Sequence, residues 1–463
     1  MNSQQFCGHL FIIKSQGLAA SDPYKVEIYL DLENWGTFKD SLRAPVHRWF
    51  TYPAGFSFKA VEHSFNRFNI AEGMTVYDPF MGSGTTNLTA KSNGINSIGV
   101  EAHPFVFEIA KAKMNWDIDV LHSQEFITSL NKNFEDKLAR ISGNRCLSLP
   151  DYFPELVLKC YSENNLKNLL VIRDFYNEYA FQRENEKKMF FVVITALLRE
   201  VSSAATGWPY IAPKKAKVTS ESKDPLVEFN RLASSMLSDI SEIKFHAHQS
   251  YKTSVHDLIL GSSTDVSAEI LDESIDYVFT SPPYLNNFDY SDRTRLELYF
   301  WGLAKNWKDI SDNVRTKLMT SATTQIRRSD PRYVIDAKFV ESCPSVTSFI
   351  KDSVMKLSDI RKTKGGKKSY DLMVVGYFND MHKILKEVYR VLKPQTQALF
   401  ILGDSAPYGI HIPTDKLIGE IGCDIGFDSY SIEVLRKRGD KWKANPQRHG
   451  VSLQESIVIL EKE

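Results

Sequence analysis

Short apolar runs alternate with amphipathic stretches along the first part of the chain. Residues 74–78 and 97–101 are apolar runs of strand length. A stretch with helical spacing follows each run, to about Ser92 in the first case and over residues 104–114 in the second. An earlier helix is expected to end near Phe68. This alternation predicts βαβ units and therefore a parallel sheet.

Helical spacing replaces the alternation after Met114. Residues 115–251 are expected to be mainly helical, and residues 187–203 are the most apolar part of them. A long apolar stretch in a helical context predicts a buried helix. We therefore expect a mainly helical insertion within the sheet domain.

Strand-like runs return at residues 252–257 and 274–280. Residues 304–370 are polar and are expected to be irregular, and a long helix is expected from about Asp371 to Leu392. Further strands are expected at residues 398–402, 429–435 and 456–460, with a basic turn between the last two.

The balance of charge limits the classes of partner. The 463 residues include 57 Lys and Arg against 57 Asp and Glu, so the formal net charge is zero. A protein that only coats nucleic acid is usually basic overall, so any contact with DNA must come from local basic patches. The five cysteines are scattered without a CxxC pair, which is typical of reduced cytosolic thiols and predicts neither a disulfide framework nor a zinc site.

The sequence contains no targeting or membrane signal of the usual kinds. The N-terminal residues lack a basic region followed by a long apolar run, so no signal peptide is expected. No stretch approaches the roughly 18 apolar residues of a membrane helix. A cytoplasmic protein without a membrane partner is expected.

A glycine-bearing turn connects the first predicted strand to its helix, with the sequence Asp78-Pro-Phe-Met-Gly-Ser-Gly-Thr-Thr86. Gly82 and Gly84 allow positive φ and a close approach of the backbone to a ligand. The helix that follows presents free N–H groups and a positive dipole end. Glu101 ends the next strand, where a carboxylate can accept hydrogen bonds from both ribose hydroxyls. The pattern indicates a nucleotide-binding turn.

Three alternatives compete with that interpretation. A phosphate-binding P-loop requires Gly-Lys-[Ser/Thr], but Thr85 and Thr86 follow Gly84. A dinucleotide fold requires a third glycine, which is absent here. A plain strand-to-helix turn is the last alternative, and the combination of Asp78-Pro-Phe with Glu101 argues against it.

A second loop, Ser281-Pro-Pro-Tyr284, directly follows the apolar run at residues 274–280. Ligands bind at the carboxyl ends of strands in open α/β sheets. The residue types of this loop suit one chemistry, the activation of the amino group of a base. The amino group of cytosine or adenine is a poor nucleophile because its lone pair is delocalised into the ring. Ser281 Oγ and the Pro282 carbonyl can accept hydrogen bonds from the amine and free that lone pair, and the prolines hold the loop stiff.

Tyr284 offers a face on which an extruded base can stack. The alternative for the whole loop is a proline-rich turn that merely ends a strand. The polar residues that follow it, Asn286, Asn287, Asp289 and Tyr290, either line a target pocket or finish a turn.

The two loops together resemble those of the DNA amino-methyltransferases, which methylate N4 of cytosine or N6 of adenine. The cofactor motif of that family is similar to residues 78–86, and its catalytic motif, [Ser/Asp/Asn]-Pro-Pro-Tyr, is similar to residues 281–284. A weaker similarity includes Pro53-Ala-Gly-Phe56, on the methionine side of the cofactor. The resemblance covers residues 45–114 and 252–460.

The resemblance implies an α/β fold with a Rossmann-like class I methyltransferase sheet, a C-terminal antiparallel hairpin and a mainly helical insertion. The expected domains are an N-terminal arm at residues 1–45, a catalytic domain at 46–114 and 252–463, and the insertion at 115–251. The arm contains one strand-like run, residues 25–30.

The resemblance also implies S-adenosylmethionine as the cofactor, and no metal. The implied catalytic residues are Ser281, Pro282, Pro283 and Tyr284. The implied cofactor-binding residues, with Asp257 on the adenine, are Tyr52, Pro53, Asp78, Pro79, Phe80, Gly82, Ser83, Gly84, Thr85, Thr86, Glu101 and Asp257.

The first residue of the catalytic motif bears on the target base. A serine there resembles the N4-cytosine members, whereas the adenine members usually carry Asp or Asn. N6-adenine methylation of DNA is the nearest alternative, and amino-methylation of RNA or a catalytically silent DNA-binding subunit are more distant ones. Methylation of cytosine C5 is not favoured, because no cysteine follows a proline. The insertion after Met114 departs from the compact pattern of the family. The cofactor motif precedes the catalytic motif, whereas many N4-cytosine members have the reverse order.

Two basic stretches, residues 361–368 and 436–448, are predicted to contact the phosphates of double-stranded DNA. The alternative for each is a solvated surface. Residues 304–370 are the first choice for target recognition, and the insertion is the second. A cognate restriction endonuclease or other defence-system proteins are the expected protein partners. The predicted DNA-binding residues are Arg327, Arg328, Arg361, Lys362, Lys364, Lys367, Lys368, Arg436, Arg438 and Lys441.

Overall fold

The computed structural model describes most of the chain. The described residues are 35–52, 55–143, 148–205, 211–216, 223–363, 368–438 and 450–463. The strand-like run at residues 25–30 and most of the expected N-terminal arm lie outside them.

Nine strands are found among the described residues. They are β1 (Thr75–Asp78), β2 (Asn96–Glu101), β3 (Ala204–Ala205), β4 (Ala212–Ala216), β5 (His256–Leu260), β6 (Ile275–Thr280), β7 (Leu392–Gly403), β8 (Ser429–Arg438) and β9 (Leu453–Lys462).

The helices of the described residues fall between and around these strands. They are α1 (Phe58–Arg67), α2 (Thr85–Ser92), α3 (Pro104–Met114), α4 (Val120–Gly143), α5 (Leu149–Tyr152), α6 (Glu155–Cys160), α7 (Glu163–Glu178), α8 (Glu184–Glu200), α9 (Pro225–His246), α10 (Tyr290–Arg293), α11 (Arg295–Phe300), α12 (Trp307–Asn313), α13 (Ala337–Ser342), α14 (Pro344–Thr363), α15 (Tyr370–Val391) and α16 (Thr414–Ile425). Short 3₁₀ turns occur at His47–Trp49, Gln249–Lys252, Arg315–Lys317, Thr323–Gln325, Pro331–Tyr333 and Pro407–Gly409.

Seven of the described strands form one sheet in the order β5-β2-β1-β6-β7-β9-β8. The first five are parallel, and β9 runs antiparallel to β7 and β8. The structure therefore confirms the α/β class, the Rossmann-like sheet and the C-terminal antiparallel hairpin. The order of the strands reverses between β1 and β6, and ligands bind at the carboxyl ends of strands at such a switch point.

The central strands β1 and β6 are buried on both faces, and most of their buried residues are apolar, as in other parallel strands that helices cover on both sides. Successive side chains of a strand point to opposite faces. Tyr277 and Phe279 of β6 accordingly pack on one face with α1, while Val278 packs on the other face with α15. The long helix α15 fills that second face with residues such as Phe378, which is fully buried.

The insertion is helical, as expected, and its apolar core is continuous with part of the sheet domain. The buried residues of α4, α7, α8 and α9 form one cluster that also contains Phe105 of α3, Trp49 and Phe300. The predicted buried helix at residues 187–203 corresponds to α8. A small antiparallel pair, β3 and β4, lies within the same segment.

Two local expectations differ from the structure, and one helix was not expected. The strand expected at residues 252–257 begins only at His256, because residues 249–252 form a 3₁₀ turn. Residues 304–370 are not irregular throughout, since α14 covers 20 of them. Its buried residues Val346, Ile350 and Leu357 follow helical spacing, a periodic signal that the polar composition conceals. Helix α16 has no counterpart among the expected elements.

None of the helices in the described part of the chain combines the length and the apolar character that crossing a bilayer requires.

Truncation of Phe126 tests the packing of the insertion. Its ring is fully buried, and the ring centroids of Phe190, Phe181 and Tyr179 lie 4.3, 4.8 and 4.9 Å away. We expect Phe126→Ala to lower the free energy of unfolding by about 3–5 kcal/mol, measured by urea denaturation. Leu121→Ala, on the same helix but 70% exposed, should change it by less than about 0.5 kcal/mol. Equal effects of the two changes would contradict this packing.

Candidate active site

One cavity lies at the carboxyl edge of the sheet, at the switch point between β1 and β6. It encloses about 830 Å³ of space that no atom fills, part of it open to solvent. Residues that follow β1, β2, β5 and β6 line it, which is where the sequence placed both loops. The predicted site residues that line the cavity are Tyr52, Pro79, Phe80, Gly82, Ser83, Thr85, Glu101, Ser281 and Pro283.

The glycine turn after β1 has the backbone conformation that its sequence requires. Gly82 and Gly84 have φ values of 54° and 89°, in the left-handed region that favours glycine. The Gly84 N–H donates to the Met81 carbonyl at 2.9 Å, and α2 begins at the next residue. A side chain at Gly82 would begin 3.5 Å from the Tyr52 ring. The turn therefore brings bare backbone to the wall of the cavity.

Asp78 lies beneath this turn and does not line the cavity. Its Oδ1 accepts hydrogen bonds from the Phe80 N–H at 3.0 Å and from Thr280 Oγ1 at 2.6 Å. Complete burial raises the pKa of Asp78 to about 6, although these bonds lower it in part. Thr86 Oγ1 also donates to the Phe279 carbonyl at 3.2 Å. These side chains tie the turn and α2 to β6, and so fix the turn relative to the second loop.

Glu101 brings a carboxylate to the cavity. Its Oε2 accepts the Gly82 N–H at 2.9 Å and its Oε1 accepts the His103 N–H at 2.7 Å. Burial raises its pKa to about 7, against the lowering effect of these two bonds. Each carboxylate oxygen has two lone pairs, so both can accept a further hydrogen bond from a ligand.

Asp257 does not line the cavity, so its expected contact with adenine is not supported. Because β5 begins at His256, Asp257 is its second residue and pairs with Ile98, three rungs before the pair Glu101–Leu260. At about 3.3 Å per residue, it lies roughly 10 Å from the carboxyl edge. Ser262, Ser263 and Thr264, which follow β5, line the cavity where the chain leaves this strand.

The remaining wall is apolar and comes from distant parts of the chain. Tyr290, Leu318, Met319 and Ile384 line it. No local motif marks the last three, and only the period of α15 could have shown that Ile384 lies on a buried helix face. The rings of Tyr52 and Tyr290 both line the cavity and contact each other, with their centroids 5.7 Å apart. The cavity thus joins a carboxylate to surfaces that suit a flat aromatic ring.

The Ser281–Tyr284 loop leaves β6 beside the glycine turn. Ser281 Oγ donates to the Ile401 carbonyl at 3.0 Å, so its lone pairs remain available as acceptors. Tyr284 is 5% exposed, and its hydroxyl donates to Glu455 Oε1 at 2.8 Å. The structure brings Ser281 and Pro283 to the same cavity as Gly82 and Glu101, whereas Pro282 and Tyr284 lie outside its lining.

The residues after this loop have separate positions. Asp289 is buried, caps α10 by accepting the Ser291 N–H, and pairs with Arg315 at 2.7 Å. Asn286 has a φ of 61° and forms part of a turn. Of the four polar residues considered, Tyr290 lines the cavity, Asn286 forms part of a turn and Asp289 caps α10.

The predicted DNA-binding residues are spread over three regions. Arg327 is 58% exposed and lies 3.6 Å from Asp312, and Lys362 is 72% exposed beside Asp359. Arg361 is mostly covered and pairs with Asp371 at 2.9 Å. Arg328 donates to Ser369 Oγ at 3.3 Å, and Lys368 lies over the ring of Tyr370. Lys364, Lys367 and Lys441 lie outside the described residues, as does Pro53.

Arg436 and Arg438 lie near the second loop, which their basic stretch alone does not predict. Arg436 Nε lies 2.5 Å from Glu455 Oε2, and the guanidinium carbon of Arg438 is 5.3 Å from the centroid of the Tyr284 ring. Glu455 therefore connects Tyr284 to the C-terminal hairpin. Sequence reasoning missed Glu455, which is 171 residues from Tyr284.

A Rossmann-like sheet whose glycine turn and Ser-Pro-Pro-Tyr loop share one cavity is the arrangement expected of a DNA amino-methyltransferase. Comparison with known proteins agrees with this class. The N6_N4_Mtase family model, described as DNA methylase, matches residues 35–112. Curated relatives include the Type II methyltransferase M.BsoBI of Geobacillus stearothermophilus, which is 27% identical over 451 residues, 90% of this chain and 86% of the relative.

Two more relatives are similar over comparable lengths. The Type II methyltransferase M.MvaI of Kocuria varians is 25% identical over 410 residues, 84% of each chain. The Type II methyltransferase M.AvaI of Nostoc sp. is 24% identical over 425 residues, 86% of this chain and 82% of the relative. These similarities support a DNA amino-methyltransferase, an enzyme of site-specific DNA amino-methylation, for which the family implies S-adenosylmethionine as methyl donor.

Proposed function

We propose that this chain transfers a methyl group from S-adenosylmethionine to the exocyclic amine of a base in double-stranded DNA, with N4 of cytosine as the favoured target. The observation that carries the proposal is that Gly82 and Glu101 line the same cavity as Ser281 and Pro283. A donor held by the first pair would lie beside an amine held by the second.

The cofactor side of the cavity has groups that suit each part of the donor. Glu101 can accept hydrogen bonds from the ribose hydroxyls, while Phe80, Met319 and Ile384 can contact the adenine. The bare turn around Gly82 and the start of α2 suit the methionine carboxylate, next to the ring of Tyr52. When bound, S-adenosylmethionine supplies an electrophilic methyl carbon on a positively charged sulfur.

The amine side contributes polarisation and orientation rather than a nucleophile. Because Ser281 Oγ donates to the Ile401 carbonyl, it can face an amine only as an acceptor. Together with the Pro282 carbonyl, it can favour a pyramidal nitrogen whose lone pair is free to attack. Fixed dipoles of this kind act strongly where water is excluded. As the new bond from nitrogen to the methyl carbon forms, the bond from sulfur to that carbon breaks and the sulfur leaves as a neutral thioether. The methylated nitrogen then releases a proton to water, without a covalent enzyme intermediate.

Tyr284 is the residue on which the base would stack, once its ring, which is 5% exposed and partly covered by Arg438 in this structure, is uncovered. An enzyme that acts on one base of a duplex must extrude it, and aromatic rings stack well on extruded bases. The Tyr284 hydroxyl donates a hydrogen bond to Glu455 Oε1 at 2.8 Å, which fixes the position of the ring. The serine at the start of the loop favours cytosine through its resemblance to N4-cytosine enzymes, and N6 of adenine is the alternative target.

The names of the curated relatives bear on biological context. Each is a Type II methyltransferase, so we infer that this chain belongs to a restriction-modification system and has a cognate endonuclease. Among the predicted phosphate contacts, Arg327 and Lys362 remain well exposed. We place target recognition in residues 304–370, which also supply Leu318 and Met319 to the cavity.

Digestion of methylated DNA to nucleosides tests the target directly. We expect the purified chain with S-adenosylmethionine and duplex DNA to yield N4-methylcytosine, which mass spectrometry separates from N6-methyladenine. Protein without the cofactor provides the blank. If N6-methyladenine alone is found, the target is N6 of adenine and not N4 of cytosine. If no methylated nucleoside is found on genomic DNA, which offers every short recognition sequence, the proposed activity is rejected.

Ser281→Ala tests the acceptor role. We expect the methylation rate to fall by about a hundredfold or more, the usual effect of losing one oriented polar group at a reacting centre, with cofactor affinity retained in calorimetry. Ser203→Ala is the matched control, because Ser203 Oγ also donates to a backbone carbonyl, that of Cys160, at 3.0 Å. Equal activity of the two variants would remove Ser281 from the site.

The raised pKa of Glu101 predicts how cofactor affinity depends on pH. A carboxylate accepts hydrogen bonds at both oxygens, whereas the protonated group must act as a donor at one. With a pKa of about 7, the binding form is lost as the pH falls, so affinity should decrease by up to about tenfold per pH unit below that value. Calorimetry between about pH 8 and pH 6 measures this. Glu101→Gln should bind S-adenosylmethionine weakly, and its affinity should no longer fall between about pH 8 and pH 6. The same pH dependence in this variant as in the wild type would contradict the role of Glu101 in binding the cofactor.

A further inference from the structure

The helical insertion makes polar contacts with the segments that carry two aromatic residues of the cavity lining. These residues are Tyr52 and Tyr290, and neither belongs to the insertion. Each is carried by a short segment whose backbone or side chains are bonded to one buried or mostly covered insertion residue. Those two insertion residues are Asp239 of α9 and Arg199 of α8.

Asp239 holds the segment that leads to Tyr52. Its side chain is fully buried, and its Oδ2 accepts hydrogen bonds from the Val46 N–H at 3.2 Å and Trp49 Nε1 at 2.9 Å. Arg48 Nε donates to the same oxygen at 2.9 Å, and one terminal nitrogen of that guanidinium contacts Oδ1. One carboxylate thus collects donors from three neighbouring residues.

The backbone that Asp239 holds is strained. Val46 has φ 64° and ψ −42°, and the His47 N–H donates to the Pro45 carbonyl at 2.7 Å. This is the rare, strained form of γ-turn, and a β-branched residue with positive φ is a genuine outlier. Such conformations persist only where the surroundings fix them. The hydrogen bond from the Val46 N–H to Asp239 supplies part of that constraint.

The strained turn sets the position of Tyr52. It is followed by the 3₁₀ turn at His47–Trp49 and then by Phe50, whose ring lies 6.3 Å from that of Tyr52. Tyr52 in turn meets Tyr290 at 5.7 Å and faces Gly82 of the glycine turn. A shift of the segment at Val46 would therefore be transmitted to the cavity.

Arg199 holds the segment that carries Tyr290. Its Nε donates to Glu297 Oε1 at 2.5 Å, and one terminal nitrogen donates to the Arg293 carbonyl at 2.7 Å. Arg293 ends α10, the helix that begins at Tyr290, and Glu297 is fully buried in α11. Trp301 Nε1 adds a bond to Thr195 Oγ1 of α8 at 3.0 Å. The insertion thus fixes both helices next to Tyr290.

We propose that Asp239 and Arg199 are positioning residues for the cofactor, and that the insertion is a bracket that sets the spacing of Tyr52 and Tyr290. Neither side chain lines the cavity, so each acts through the wall it holds. Trp49 and Phe300 belong to the same apolar cluster as the insertion helices, so these polar contacts form within one packed core. The inference rests on the proposed cofactor site.

Two substitutions, one that conserves size and one that conserves charge, test the bracket in the full-length chain. Asp239→Asn keeps the size of the side chain but turns one acceptor into a donor, and Arg199→Lys keeps the charge but cannot reach Glu297 and the Arg293 carbonyl together. We expect calorimetry to show affinity for S-adenosylmethionine about tenfold weaker or worse in each variant, since small misplacements of a wall carry large penalties. Affinity for duplex DNA should stay that of the wild type.

A stability-matched control separates positioning from general damage. Phe126→Leu loosens the insertion core without touching either contact set, and the variants are compared at temperatures equally far below their melting points. Cofactor affinity that falls in Asp239→Asn and Arg199→Lys but not in Phe126→Leu supports the bracket. Equal affinities in all three, or a parallel loss of DNA affinity, overturn it. If the wild type itself binds no S-adenosylmethionine, the proposed function fails instead.

Trp49→Phe gives a milder test should either polar change prevent folding. It removes the indole N–H bonded to Asp239, together with the five-membered part of the ring system, and keeps a six-membered aromatic ring in the core. A smaller loss of cofactor affinity, in the same direction, is expected from this variant. Affinity equal to that of the wild type would remove the Trp49 bond from the bracket and count against the Asp239 contact set.

Discussion

The hydrogen bond between Thr280 and Asp78 joins the two halves of the site. Both side chains are fully buried, and Thr280 Oγ1 lies 2.6 Å from Asp78 Oδ1. One residue ends β1 and the other ends β6, so this contact fixes the points from which the glycine turn and the Ser281–Tyr284 loop depart. Adjacent parallel strands bring such ends together, and the bond sets their relation more tightly than the sheet alone.

Carboxylates with buried oxygens perform the same task around the rest of the cavity. Asp78 accepts the Phe80 N–H, Glu101 accepts two backbone N–H groups, and Asp239 accepts the Val46 N–H. Hydrogen bonds to ionised acceptors are among the stronger ones, and a buried N–H without a partner is costly. Loops that must present bare backbone to a ligand gain their shape from these acids, which explains why several acids lie where little solvent reaches them.

The sequence predicts those features that depend on neighbours along the chain. The helix expected at residues 104–114 matches α3 at both ends, because Pro104 suits the first turn of a helix and the apolar spacing is regular. Both loops follow apolar strands, so their placement at the carboxyl edge also follows from local order. The start of β5 does not follow from local order, because its pairing with β2 decides where the strand begins. The strand was expected to end at Asp257, whereas Asp257 is its second residue and lies away from the carboxyl edge. Glu455 and Ile384 reach the site only through tertiary packing.

The C-terminal hairpin shows why a charge run is a weak guide to its contacts. Its cations were expected on phosphates, yet Arg436 pairs with Glu455 and Arg438 covers the Tyr284 ring. The approach is possible because Gly403 has no side chain. A Cβ there would lie 2.1 Å from a terminal nitrogen of Arg438 and 3.2 Å from Tyr284 Cδ2. A glycine at the end of β7 therefore lets a surface cation reach the second loop, and composition alone cannot reveal that use of a basic residue.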